Sequence, residues 1–214
     1  MTTLLLVRHG QSEANLHDLF AGHFDAELME LGTKQAEVTA KYISDHYKID
    51  KVYASDLKRA YKTGSIIAEH LKVELIADQG LREIDGGEWE GLKFWSLTEL
   101  YPEDFGLWQS DLASARCTGG ETVRQLADRI MCTLCRIAED NPDQTIVVAT
   151  HATPIRSAMT MVQYGELSAM QNVPWVSNAS VTTLTYDEGK WQCVKAGEDA
   201  HLKGIITHLS SSAV

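Results

Sequence analysis

A chain of 214 residues that is 44% hydrophobic, with 15 glycines and only 4 prolines, is long enough to bury a large core in one domain and too apolar to be disordered. Its formal net charge of −11 excludes the basic surface that a nucleic-acid backbone requires, and no apolar run approaches the ~20 residues that span a bilayer. Four cysteines are too few for a disulfide scaffold, and no basic leader with a cleavage site precedes the first apolar run, so a reducing, cytoplasmic location is expected.

Leu4-Leu5-Leu6-Val7 is a run of branched aliphatics that stops at Arg8-His9-Gly10, after which polar residues lead to Asn15. A short apolar run bounded by a turn residue is the pattern of a buried strand, most simply a parallel one. Ligands of open α/β sheets gather at the carboxyl ends of strands, where Arg8 and His9 would sit. Gly10 would let the backbone turn closely past a ligand. A permanent cation beside a base or nucleophile suits an anion such as phosphate; the plainer alternative is two solvated residues at a strand end.

Residues 16–30 show no clear period and are read as a loop. Leu31-Gly32 introduces a helix whose apolar face carries Ala36, Val38, Ala40, Tyr42, Ile43 and Tyr47. Residues 51–55 form a short strand, and Asp56-Leu57-Lys58-Arg59-Ala60 opens a second helix to about residue 71, with Ser55 or Asp56 as its N-cap. Arg59 falls in the first turn, where the helix macrodipole disfavours a cation unless it shares an anion with the helix amides. The alternative is a solvated surface arginine.

Residues 73–76 are a third strand. The segment 81–91 is a loop rich in carboxylates and glycines, but its spacing lacks the alternating oxygen ligands of a calcium loop; one acid serving as proton donor beside a phosphate is the sharper reading. Phe94, Trp95, Tyr101, Phe105 and Trp108, set among acids, mark an inserted lid of short helices at about residues 92–118. Their rings are core packing or a partly apolar wall over a substrate.

Gly119-Gly120-Glu121-Thr122 precedes the longest helix, 122–141, with Val123, Leu126, Ile130, Leu134 and Ile137 on its apolar face. Cys132 and Cys135 fall mid-helix with no second pair, which fits buried small apolar residues better than a zinc or redox site. Thr145–Thr150 is a second buried strand, stopping at His151-Ala152-Thr153-Pro154, with a helix from Pro154 onward. Residues 181–186 and 191–196 form a hairpin around Asp187-Glu188-Gly189-Lys190, and the tail after His201 is expected to fray. The expected fold is α/β, a three-layer α/β/α sandwich around a mostly parallel sheet, with residues 1–214 as one domain.

Two apolar strands, far apart in sequence, thus each end in a histidine. Arg8-His9-Gly10 at a strand end, Arg59 after Ser55-Asp56-Leu57, Glu83 before Gly86-Gly87, and Thr150-His151 before a helix resemble the histidine phosphatase superfamily, which includes the cofactor-dependent phosphoglycerate mutases and broad-specificity acid phosphatases. The match runs from residue 4 to about residue 160 and is most specific over residues 6–15. The resemblance implies that His9 is the nucleophile that becomes phosphohistidine. Arg8, Arg59 and His151 would hold the phosphoryl oxygens, with Asn15 and the backbone at Ala152 contributing. Glu83 would be general acid for the leaving alcohol and then base for water. Family members often carry Ser-His-Gly-Gly where this chain has Thr150-His151-Ala152-Thr153-Pro154, a departure that bears on phosphate contacts at Ala152 more than on His151.

These roles accord with elementary chemistry. Phosphoryl transfer asks for in-line positioning and cations around the equatorial oxygens. A histidine nucleophile must be neutral at the attacking nitrogen, a state that two adjacent guanidiniums favour. No metal or cofactor is required, because the arginines supply the charge. A mutase must also hold a substrate carboxylate and keep water from the phosphoenzyme, yet between Asp85 and Cys117 the only bases are Lys93 and Arg116. That favours a phosphatase of small phosphorylated metabolites, with an ester of partly apolar leaving group or broad specificity. A mutase and a non-catalytic phospholigand-binding module are the alternatives; His9 and Glu83 speak against the latter, since anion binding alone needs only the arginines. A homodimer is left open.

Overall fold

In the computed structural model, which describes residues 1–209, the chain runs β1 (Thr2–Arg8), α1 (Glu13–Leu16), α2 (Glu30–His46), β2 (Lys51–Ala54), α3 (Lys58–Leu71), β3 (Glu74–Ala77), α4 (Phe94–Leu100), α5 (Pro102–Ser110), α6 (Val123–Asp140), β4 (Thr145–Thr150), α7 (Ala152–Tyr164), β5 (Val181–Asp187) and β6 (Lys190–Glu198), with short 3-10 turns between. The strands form one sheet in the order β3-β2-β4-β1-β5-β6. β3, β2, β4 and β1 are parallel, while β5 and β6 close one side antiparallel.

The aliphatic runs occupy the middle of this sheet because both of its faces are covered. Leu4, Leu6, Ile146 and Val148 point to one face, against Ile130, Leu134 and Ile137 of α6 and Ile155 and Met159 of α7. Leu5, Val7, Val52 and Val147 point to the other, against Ala40 and Ile43 of α2 and Ile67 of α3. This is the expected three-layer α/β/α arrangement. Each such side chain contributes ~1.5–3 kcal/mol by leaving water. A third cluster, around Phe20, Trp89, Phe105 and Trp108, joins α4 and α5 to the start of α6, with the rings meeting edge to face.

Several local expectations are corrected. Leu16 ends α1, a single turn closed by reciprocal bonds between Ser12 and Asn15. The α3 cap is Leu57, with no side-chain cap bond; Asp56 is taken by an ion pair to Arg82, and Ser55 turns toward the sheet edge. α7 begins at Ala152, two residues before Pro154, which is tolerated because first-turn amides have no intrahelical acceptor. The hairpin strands are longer than expected, and its two turn residues, Glu188 and Gly189, both have positive φ (46° and 81°), as a turn matched to strand twist requires. Cys132 is exposed, not buried. The tail does not fray at His201: Leu202 is fully buried, and Gln35 Nε2 donates to the Ile205 carbonyl at 2.7 Å and to Thr207 Oγ1 at 2.9 Å. The rest of that expectation, from residue 210, lies outside the described residues. No helix among the described residues is long and apolar enough to cross a membrane.

Candidate active site

β1 and β4 pair in parallel with Arg8 opposite Thr150, and the His9 amide continues the ladder to the Thr150 carbonyl at 2.9 Å. Strand register therefore brings His9 and His151 together at the carboxyl edge, their ring centroids 5.2 Å apart. His9 Nδ1 lies 2.7 Å from the Gly10 carbonyl. A carbonyl only accepts, so Nδ1 carries the proton and Nε2 presents a lone pair. Burial first, then Arg59 and Arg8, hold the His9 ring well below its ordinary pKa of 6.5, so it is neutral near pH 7.

Arg8 and Arg59 are each 1% exposed, which rules out the solvated alternatives. Arg8 Nη1 donates to the Val176 carbonyl at 2.6 Å; Arg59 donates to the carbonyls of Phe24 at 3.0 Å and Gly22 at 2.7 Å. Neither Nε has a partner and neither guanidinium has an ion pair among the described residues. Burial pulls both down to about 10, still fully charged at neutral pH. Two buried cations without carboxylate partners are an anion site in waiting.

Gly10 has a steric reason of its own. A Cβ there would lie 2.3 Å from the Gly32 carbonyl, and one on Gly32 would lie 2.1 Å from the Gln11 carbonyl. The two glycines let the loop after β1 touch the first turn of α2. Asn15 accepts at Oδ1 from the Ser12 amide and from Asn178 Nδ2, both at 3.1 Å, leaving its NH2 for a ligand. Glu83 Oε1 accepts from the Ile84 amide at 2.9 Å and Oε2 from the Thr153 amide of α7 at 3.4 Å.

Arg8, His9, Asn15, Arg59, Glu83 and Ala152 line one cavity of about 60 Å³. Its remaining wall includes Leu19, Phe20, Phe94, Trp108, Trp175 and Leu209. His151 does not line it: the ring is fully buried beside His9, with Nε2 2.9 Å from Ser55 Oγ and Nδ1 unpartnered.

A family model for the histidine phosphatase superfamily (branch 1) matches residues 4–199. The chain belongs to this superfamily. It is 33% identical over 202 residues to phosphoserine phosphatase 1 of Hydrogenobacter thermophilus, covering 94% of this chain and 95% of that one. It is 34% identical over 203 residues to phosphoglycerate mutase-like protein 4 of Arabidopsis thaliana, covering 94% and 86%. The solved mycobacterial glucosyl-3-phosphoglycerate phosphatase in complex with VO3 is 26% identical, with a TM-score of 0.84 over 92% of this chain and 99% of that one. This histidine phosphatase is accordingly a hydrolase of the phosphatase class.

The structure also brings to the acid loop residues that sequence reasoning missed. Arg129, on α6, donates to three carbonyls of the acid loop: Gly80 and Arg82, each at 3.0 Å, and Glu83 at 3.1 Å. It pairs with Glu121 at 2.7 Å, and Glu121 Oε2 accepts from the Asp85 amide at 2.9 Å. His23 Nε2 donates to the Glu83 carbonyl at 2.9 Å. His23, Asp85 and Glu90 bring ligand-type atoms within 4.8 Å of one another. Backbone bonds already engage all three: Glu90 Oε1 accepts from His23 and Gly86, and Asp85 Oδ1 from Gly87. They staple the loop. The only signal that could have found Arg129 is an arginine on an amphipathic helix, which is indistinguishable from a solvated one.

Proposed function

We propose that this phosphatase hydrolyses small phosphate monoesters without a metal, through a phosphohistidine on Nε2 of His9. The observation that carries the reading is a neutral imidazole with its lone pair at Nε2, set between two buried guanidiniums that lack carboxylate partners.

Nε2 attacks phosphorus and the bond to the leaving oxygen breaks, while Glu83 in its acid form gives that oxygen a proton. Glu83, now carboxylate, takes a proton from water, whose oxygen attacks phosphorus; the P–N bond breaks and inorganic phosphate leaves. Arg8 and Arg59 hold the equatorial oxygens as charge spreads over them. The Asn15 amide, the first-turn N–H of Ala152 and His151 complete the donor set. Arginines supply the charge that a metal supplies elsewhere.

The apolar wall favours a leaving group that is itself partly apolar, or broad specificity. Among the described residues Arg8 and Arg59 are the only cationic side chains lining the cavity, so a phosphoglycerate carboxylate would find no further cation there; this favours hydrolysis over mutase transfer. The named relatives support small phosphorylated metabolites, phosphoserine among them, as the class of partner. In this reading residues 1–214 act as one cytoplasmic domain, with about 92–118 as its lid.

The test is phosphate release from p-nitrophenyl phosphate with EDTA present, for wild type and His9→Ala. Turnover by wild type only is the expected result. Turnover lost to EDTA would overturn the metal-free reading, and phosphoglycerate isomerisation without phosphate release would establish the mutase.

A further inference from the structure

Three neighbouring parallel strands end in a row of polar side chains at the carboxyl edge of the sheet. β2 leads to Ser55, β4 to His151 and β1 to His9, because Ala54 pairs with Ala149 and Arg8 with Thr150. Ser55 is fully buried and its amide donates to the Ala149 carbonyl at 2.9 Å. Its Oγ accepts from the Leu57 amide at 3.3 Å and lies 2.9 Å from His151 Nε2. His151 Nδ1 is buried with no partner among the described residues.

Burial first, then the charge of Arg59, keeps the His151 ring well below pKa 6.5, so it carries one ring proton. If Nε2 held that proton it would donate to Ser55, and Nδ1 would turn a lone pair on any phosphoryl oxygen beside His9. If the Ser55 hydroxyl donates to Nε2, the ring proton is at Nδ1, a donor with no acceptor until an oxyanion arrives. A buried donor without an acceptor is destabilising, and a bound phosphoryl oxygen would relieve it.

We propose that Ser55 is a positioning residue that fixes His151 in its Nδ1–H tautomer, so that His151 donates to a phosphoryl oxygen held at His9. The proposal rests on the phosphatase reading above. The Leu57 amide occupies a lone pair of Oγ, and the single hydroxyl hydrogen goes to Nε2. The two histidines thereby share a tautomer and differ in what they leave free. His9 spends its N–H on Gly10 and keeps a nucleophilic lone pair; His151 spends its lone pair on Ser55 and keeps a donor. Ser55 touches neither substrate nor reacting atoms and acts through the ring.

The experiment is long-range 1H–15N correlation on enzyme labelled with 15N-histidine, with and without orthovanadate, joined to steady-state kinetics. Wild type should show His151 protonated at Nδ1 and bare at Nε2. Ser55→Ala should lose that pattern and lower kcat on an alkyl phosphate by roughly 10- to 100-fold, as loss of an orienting partner does elsewhere, and Ser55→Thr should restore both. Wild-type His151 protonated at Nε2 in the vanadate complex overturns the proposal, and this spectrum needs no variant to fold. Ser55→Ala that keeps both the Nδ1–H pattern and kcat overturns it too. Failure of the phosphatase reading shows separately, as wild type that releases no phosphate from any monoester and binds no vanadate, and takes this proposal with it.

Discussion

The two halves of the candidate site are built in different ways. His9 and His151 stand at the ends of adjacent parallel strands, and one ladder, Arg8 opposite Thr150, fixes their separation. Glu83 sits on a loop between residues 81 and 91 that has no strand of its own. It is held from outside by Arg129, through three carbonyls, and by the ion pair of Arg129 with Glu121. The nucleophile thus inherits the rigidity of the core, while the acid depends on a few part-buried polar contacts. Substitutions on the two sides should therefore fail differently.

The largest effect belongs to the strand side. His9→Ala should remove turnover of every monoester, activated or not, because no other group can form the covalent intermediate; a panel of aryl and alkyl phosphates checks this. Next comes the clamp. Arg129→Met should reproduce the pattern of Glu83→Gln: a loss of about 10²–10⁴-fold on alkyl esters, which need a proton donor, and a much smaller loss on p-nitrophenyl phosphate. Equal losses on both substrates would mean that the clamp does not act through Glu83. The same variant leaves Glu121 without its cation, and because the pair is part-buried the loss of stability should fall below the ~3–5 kcal/mol of a fully buried pair, read in a urea titration.

A core substitution gives the converse. Leu6→Ala, under the strand that carries His9, should cost ~2–5 kcal/mol of stability while leaving the ratio of aryl to alkyl turnover unchanged at temperatures where the protein stays folded. A changed ratio would show that the strand side is softer than its packing implies.

The smallest effect is in pH. The folded pKa values of His9 and His151 lie well below 6.5, so the unfolded chain binds more protons than the folded one below that value. Their contribution is fully present above pH 6.5 and is lost as pH falls through the window beneath it. His9→Asn should flatten the decline of Tm between about pH 7 and pH 5. An unchanged slope would mean that the ring is charged in the folded protein.

The same division explains what could be read from the sequence. Leu4 to Val7 and Thr145 to Thr150 announce themselves because a strand covered on both faces must be aliphatic throughout, and the residues that end such strands are marked by position alone. Arg8, His9 and His151 are legible on that ground, and Arg59 and Glu83 through the resemblance. Arg129, Glu121, Ser55 and the Val176 carbonyl were not, because each acts through a partner distant in sequence and none differs locally from a surface or capping residue. Ser55 looked like a helix cap, and the competition was settled by the β2–β4 ladder, which turns it toward His151. For Gly10 the structure adds a constraint that the sequence does not carry: the Gly32 carbonyl, 2.3 Å from where a Cβ would lie, an approach visible only once α2 is docked.

The central claim is that Nε2 of His9 carries the phosphoryl group. The most direct measurement is rapid quench of the enzyme with an alkyl phosphate in EDTA, at alkaline pH, followed by peptide mass spectrometry and 31P NMR. One phosphoryl adduct is expected, on His9 at Nε2, stable to base, labile to acid and absent from His9→Ala. Turnover with no adduct on His9, or with the phosphoryl group on another residue, would contradict it.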